Sequence, residues 1–201
     1  TLPTNISKEE FDKNPVLDRF DYQLKTSGLN TYKTMSPDFS WACTNIDSIK
    51  KKYDLEKYIV IFPFCSAHLQ IKKWPYYNEL IELIKSKYNN KYKVVVAPGP
   101  SEINDAKDIN AISILDGEKI LDISQLSSLI KDSSFVIAND TGPAHIAAHL
   151  NAKGSAIFCA CSLMPSKSLL PSLMYFLLSS FNVSSIPSMP NILPTSIGPS
   201  Y

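Results

Sequence analysis

No charge of either sign is in excess in this chain. Twenty Lys and Arg stand against 19 Asp and Glu, a net charge of +1, so the broad basic footprint of a nucleic-acid-binding surface is missing. The run Lys50-Lys51-Lys52 reads as a solvated face. Paired-cysteine motifs are also missing. Cys43, Cys65, Cys159 and Cys161 are irregularly spaced with no C-x-x-C, which disfavours zinc and thioredoxin-like sites and suits reduced thiols in a cytosolic protein. Residues 1–14 are polar and charged, without the apolar core of a signal peptide. No apolar run reaches the roughly 20 residues a bilayer span needs; the longest in the tail, residues 169–181, is broken by Pro171 and by serines. From Ser155 to Tyr201 charge nearly vanishes: Lys167 stands alone among 12 serines and six prolines.

What is present divides the chain into three stretches. Residues 1–55 are polar with few strong periodicities and read as an interdomain or N-terminal remnant. Residues 56–158 alternate between short apolar runs and helical patterns. Residues 159–201 form an atypical Ser/Pro/Leu-rich tail. A helical tail in water should show charged faces, so this one fits either an aberrant reading of the gene end or a genuine variable tail.

The middle stretch is the informative one. Residues 58–62 (Tyr-Ile-Val-Ile-Phe) are wholly apolar, as in a strand buried on both faces. Pro75 suits a first helical turn, and Tyr77, Leu80, Ile81 and Ile84 then share one helical face. Residues 93–97 form a second strand, ended by Pro98-Gly99-Pro100, and Ser101 is placed to cap a helix to about Asn110. A short strand is expected at 112–115 and a turn at Asp116-Gly117. Ser124 is placed to cap a helix carrying Leu126, Leu129 and Ile130. Further strands follow at 135–138 and from Ser155 to Phe158, with a helix between them. This alternation implies βαβ units: an α/β, Rossmann-like parallel sheet with helices on both faces. Ligands in such folds bind at the carboxyl ends of the strands, so the loops at 63–73, 98–102 and 139–145 matter most.

Three of those loops carry chemistry. Asn139-Asp140-Thr141-Gly142-Pro143-Ala144-His145 joins a strand to a helix. Gly142 permits close backbone approach and Pro143 starts the helix, whose free N–H groups and positive dipole end suit a phosphate. Asp140 is able to accept bonds from sugar hydroxyls, and Thr141 to offer a hydroxyl to phosphate. The bland alternative makes Asp140 and Thr141 caps and His145 a core residue. His145 and His149 share a helix face, but Ile146 stands where a zincin needs its glutamate and no third ligand is evident, so no metal is expected. Lys72-Lys73-Trp74-Pro75 places a lysine before a helix start, in reach of a diphosphate, with Trp74 as a packing anchor. Glu102, after Pro98-Gly99-Pro100-Ser101, suits a ribose or else merely a helix first turn.

In this order, Lys72-Lys-Trp-Pro75, Gly99-Pro-Ser-Glu102 and Asp140-Thr-Gly-Pro-Ala-His145 resemble glycosyltransferase family 9, which includes the lipopolysaccharide heptosyltransferases. The likeness runs from about Asp18-Arg19-Phe20 to Phe158. It implies the C-terminal, donor-binding domain of a GT-B type fold, made of two Rossmann-like halves facing a cleft. It also implies roles for single residues. Lys72 and Ser66 would hold a phosphate, and Glu102 the ribose. Asp140 would meet the donor sugar, Thr141 and Gly142 the diphosphate, and His145 would support that loop or touch the phosphate. No catalytic residue is assigned, because the family's base lies on the other half.

The implied activity is sugar transfer from a nucleotide-diphosphate donor such as ADP-heptose to a lipopolysaccharide core or other glycolipid. No resident cofactor and no nucleic acid enter into it. Two other readings stay open: a non-catalytic nucleotide-sugar-binding module, and a UDP-sugar-dependent GT-B transferase of another family. The expected setting is cytoplasmic, with peripheral contact at the inner membrane.

Overall fold

The computed structural model describes residues 7–32, 34 and 36–157. Helices α1 (Lys8–Lys13), α2 (Val16–Thr26) and α3 (Asp47–Tyr53) come first. Then follow β1 (Tyr58–Phe62), α4 (Tyr77–Lys87), β2 (Lys93–Val96), β3 (Ile112–Ser113), α5 (Ile123–Lys131), β4 (Phe135–Asn139), α6 (Gly142–His149) and β5 (Gly154–Ile157). The five strands form one parallel sheet in the order β3-β2-β1-β4-β5. The chain winds outward from β1 through β2 to β3, then returns to place β4 on the other side of β1. That reversal is the topological switch point, and it opens a crevice beyond the carboxyl ends of β1 and β4.

Every residue of β1 and β4 is buried, which is why both read as unbroken apolar runs rather than alternating ones. Side chains still alternate between the two faces. Tyr58, Val60, Phe62, Val95, Val136 and Ala138 join Ile46 and Ile49 of the α3 region, Leu129 and Ile130 of α5, and Ala147 of α6 in one core cluster. Ile59, Ile61 and Ile137 point the other way and are fully buried, as are Leu80 and Ile81 of α4. The Tyr58 hydroxyl donates to the Leu129 carbonyl at 2.7 Å, and burial raises its pKa well above that of an ordinary phenol.

Several local expectations change. No helix runs from Ser101 to Asn110; turns and a short 3-10 segment, Asp105–Asp108, take its place. Asn104, Asp105 and Asp108 favour local side-chain bonds over helix, and Ala106 is the one buried residue there. The cap of α5 is Asp122, not Ser124. Its carboxylate accepts from the Gln125 N–H at 2.8 Å while the Gln125 side chain accepts from the Asp122 N–H at 3.0 Å, a reciprocal capping box. Pro75 sits before the α4 cap residue Tyr76. β3 stops at Ser113, because the Leu115 N–H and carbonyl both turn to the Tyr53 hydroxyl at 3.1 Å. β5 begins at Gly154, one residue early. Phe158 and the tail at 159–201 lie outside the described residues.

Among its described residues, the stretch read as weakly patterned carries α1, α2 and α3 and a short 3-10 turn, Ser40–Ala42. α2 buries none of its residues, and Val16, Phe20 and Leu24 recur every four residues along it, all exposed. Ile46, Ile49 and Leu55, in contrast, belong to the sheet's core cluster.

Gly154 shows one hard steric demand. A Cβ there would sit 2.7 Å from the Val136 carbonyl oxygen of the neighbouring strand. Gly154→Ala is therefore expected to destabilise the chain by about 1–3 kcal/mol, the usual cost of overpacking, read from urea unfolding. A change within about 0.5 kcal/mol would show that β5 has room that the backbone does not display.

Candidate functional site

The loop after β1 and the loop after β4 meet over the switch point. The first runs from Pro63 through a 3-10 segment, Ala67–Lys72, to Trp74. The second is Asp140-Thr141, leading into α6. Lys72 Nζ lies 2.6 Å from Asp140 Oδ2 and 3.3 Å from the Asp140 carbonyl oxygen. Both side chains are partly buried, about a third and a quarter exposed respectively. The two groups singled out for phosphate and for sugar thus pair with each other. Any anion approaching Lys72 would have to compete with Asp140 for it.

Thr141 occupies the cap position of α6 but makes no side-chain capping bond, and Pro143 lies in the first turn. The Thr141 hydroxyl instead turns to the Asn139 carbonyl at 3.3 Å. A Cβ on Gly142 would meet nothing within 4 Å, so the space in front of this helix start is open. His145 is no core residue: its side chain is 70% exposed, and Nε2 lies 3.9 Å from Asp140 Oδ1. His149, one turn on, stacks against Phe39 with centroids 6.2 Å apart.

Glu102 folds back on its own turn. Its Oε2 accepts from the Gly99 N–H at 2.7 Å, and the Glu102 N–H donates to the Gly99 carbonyl at 3.0 Å. It still faces the cleft. Ser66 is exposed and precedes the 3-10 segment without capping it through its side chain. Trp74 is only 1% exposed and packs edge-on against Tyr77 with centroids 5.2 Å apart. It is a packing anchor rather than a stacking platform.

One cleft of about 710 Å³ gathers all seven residues singled out from sequence: Ser66, Lys72, Glu102, Asp140, Thr141, Gly142 and His145. That volume is in the range of small-ligand sites. Its polar end is Lys72 and the α6 start. Its other wall is mostly apolar and comes from a segment that carried no motif: Ile120, Leu121, Ile123 and Leu126, with Asp122 among them and Pro98 and Pro100 lining the same cleft. Ile123 stays 57% exposed because it sits at the lip, in the first turn of α5. The capping box at Asp122 and Gln125 was the available signal for that lip, since it fixes where the helix begins. Cys65 also lines the cleft, but burial raises its thiol pKa, which makes it a poor nucleophile. Among the described residues no three His, Cys, Asp or Glu side chains gather as a metal set would.

Residues 5–180 match the model of glycosyltransferase family 9 (heptosyltransferase). The chain belongs to glycosyltransferase family 9. The matched span extends beyond the motif-based likeness at both ends. No curated protein matches the sequence. Among solved structures, the chain is similar to E. coli heptosyltransferase WaaC with ADP, at TM-score 0.51 and 16% identity, covering 78% of this chain and 53% of that one. E. coli ADP-heptose lps heptosyltransferase II gives TM-score 0.49 and 20% identity, with 67% and 50% covered. E. coli WaaC with ADP-2-deoxy-2-fluoro heptose gives 0.49 and 19%, with 70% and 43% covered. This family 9 chain spans about half the length of those solved relatives. At such identity the likeness to WaaC with ADP speaks to the α/β fold alone.

Proposed function

We propose that this chain forms the donor-binding part of a heptosyltransferase-like glycosyltransferase. It would take a nucleoside-diphosphate sugar of the ADP-heptose kind, and the sugar would pass to a lipopolysaccharide-type glycolipid. The observation that carries this reading is the convergence of Lys72 and the open α6 start at the switch point of a parallel sheet. A diphosphate laid there gains one ammonium and the positive end of a helix, and the apolar wall of Ile120, Leu121 and Pro98 suits the flat face of a base.

Asp140 lines the same cleft as Lys72, and the sugar would sit beside it. Release from Lys72 would free its carboxylate to accept sugar hydroxyls. Transfer breaks the bond between the anomeric carbon and the diphosphate oxygen and forms one from that carbon to an acceptor oxygen. The acceptor proton goes to a base, and the electron pair leaves with the nucleoside diphosphate. Lys72 and the α6 N–H groups stabilise that leaving charge, which grows in the transition state. The cleft's other carboxylates, Glu102 and Asp122, are engaged by the Gly99 and Gln125 N–H groups, so the share of the reaction assigned to the described residues is donor binding and leaving-group stabilisation.

Calorimetry tests this directly. ADP should bind more tightly than adenosine, and more weakly as salt rises. Equal affinities would end the reading. Asp140→Ala separates the sugar from the diphosphate. It should weaken an ADP-sugar by the worth of a charged hydrogen bond, roughly 1.5–3 kcal/mol. Bare ADP should lose less, because the substitution also releases Lys72. Equal losses for both ligands would make Asp140 a purely structural partner of Lys72.

A further inference from the structure

β4 is apolar from Phe135 to Ala138 and then ends on Asn139, which is completely buried. A buried amide is costly unless its donors and acceptors are met. Here they are met by the two ends of one loop. The Asn139 Nδ2 donates to the Pro63 carbonyl at 2.9 Å and lies 3.5 Å from that of Phe64, where the loop leaves β1. Its Oδ1 accepts from the Trp74 N–H at 3.4 Å and from the Tyr77 hydroxyl at 3.1 Å, where the same loop enters α4. Between those anchors the loop carries Ser66 and Lys72. The residue after Asn139 is Asp140, which holds the Lys72 ammonium.

We propose that Asn139 is a positioning residue: it clamps both ends of the 63–74 loop to β4 and so sets where Lys72 stands relative to the α6 start. The proposal rests on the donor-site reading and extends it to a residue that touches no ligand. A hydrophobic residue of similar size would fill the volume but leave two loop carbonyls and the Trp74 N–H unbonded. Tyr77 is the clamp's second member. Burial pushes its pKa far above that of an ordinary phenol, so its hydroxyl keeps its proton and remains a donor to Oδ1. An asparagine is needed because donors and acceptors must be met at once; an ionised carboxylate of the same shape accepts but cannot donate.

Asn139→Asp tests this with little change of volume. Ionised, the new side chain loses both donor contacts and faces two carbonyl oxygens. Protonated, it returns one O–H. ADP affinity should fall about tenfold at neutral pH and recover toward wild type as pH is lowered, while adenosine affinity stays within about twofold. A loss through general unfolding would strike both ligands. Tyr77→Phe, which keeps the ring, should shift ADP affinity the same way by a smaller factor. In a Lys72→Met background, Asn139→Asp should cost ADP little more, because the group it positions is gone. If wild-type chain prefers ADP but Asn139→Asp keeps that preference in full, or its effect adds fully to that of Lys72→Met, the positioning role is overturned alone. If wild-type chain shows no preference for ADP, the donor-site reading falls and this role falls with it.

Discussion

Lys72→Met should weaken ADP binding by on the order of 10- to 100-fold while leaving the folded state nearly as stable. Lys72 is the single lysine or arginine lining the cleft among the described residues. A hydrogen bond between charged partners is worth roughly 1.5–3 kcal/mol, and each 1.4 kcal/mol is about tenfold in affinity. The loss is compounded by what remains. Asp140 now contacts Lys72 at 2.6 Å; without it, an unpaired carboxylate would face the incoming diphosphate. Lys72→Met with Asp140→Asn should therefore bind bare ADP better than Lys72→Met alone. Stability should change little, because a partly exposed ion pair contributes at most about 1 kcal/mol. Calorimetry with ADP and a urea titration of each variant provide the check. Unchanged ADP affinity in Lys72→Met would remove the lysine from the site.

The second large effect separates the two tryptophans. Trp74→Ala should cost about 3–5 kcal/mol, as is usual on truncating a fully buried aromatic. Trp74 packs against both Tyr76 and Tyr77, and its backbone N–H is one of the anchors of Asn139. Trp41, 79% exposed, meets Phe39 at a tilt with centroids 5.6 Å apart, and Trp41→Ala should stay near 0.5 kcal/mol. Urea unfolding followed by far-UV circular dichroism measures both. Similar losses for the two would mean that the loop after β1 is not anchored in the core. Because Trp74 lies two residues from Lys72, its loss should also lower ADP affinity in conditions where the variant is still folded.

Much of the fold is legible in the sequence for a physical reason. Strands buried on both faces show as apolar runs, and 58–62, 94–96 and 135–138 stand out on that basis. The α4 face stands out by its 3.6-residue period. The seven cleft residues are visible because three loops at strand ends carry polar groups in a recognisable order, and the parallel topology brings such ends together. What stays hidden depends on contacts between distant residues. The Lys72–Asp140 pair joins positions 68 apart in sequence, and nothing local announces it. Asn139 shows as the first letter of a motif, yet its part as a clamp depends on Pro63, Trp74 and Tyr77. The helix expected after Ser101 does not form because a cap candidate counts for little without an apolar stripe to bury. The α3 contribution to the core escapes notice because Ile46 and Ile49 are too few to make a visible period in a polar stretch.

The proposed donor site places a nucleoside diphosphate between the β1 and β4 loops, with its phosphates at the start of α6. Two-dimensional amide NMR on nitrogen-15-labelled chain titrated with ADP tests it most directly. The largest saturable shifts should fall on Ser66, Lys72, Thr141 and Gly142, with smaller ones at Leu121 and Ile123 on the apolar wall. Adenosine should move the second group and spare the first. Shifts centred away from this cleft, or no saturable shift of Thr141 and Gly142, would contradict the account.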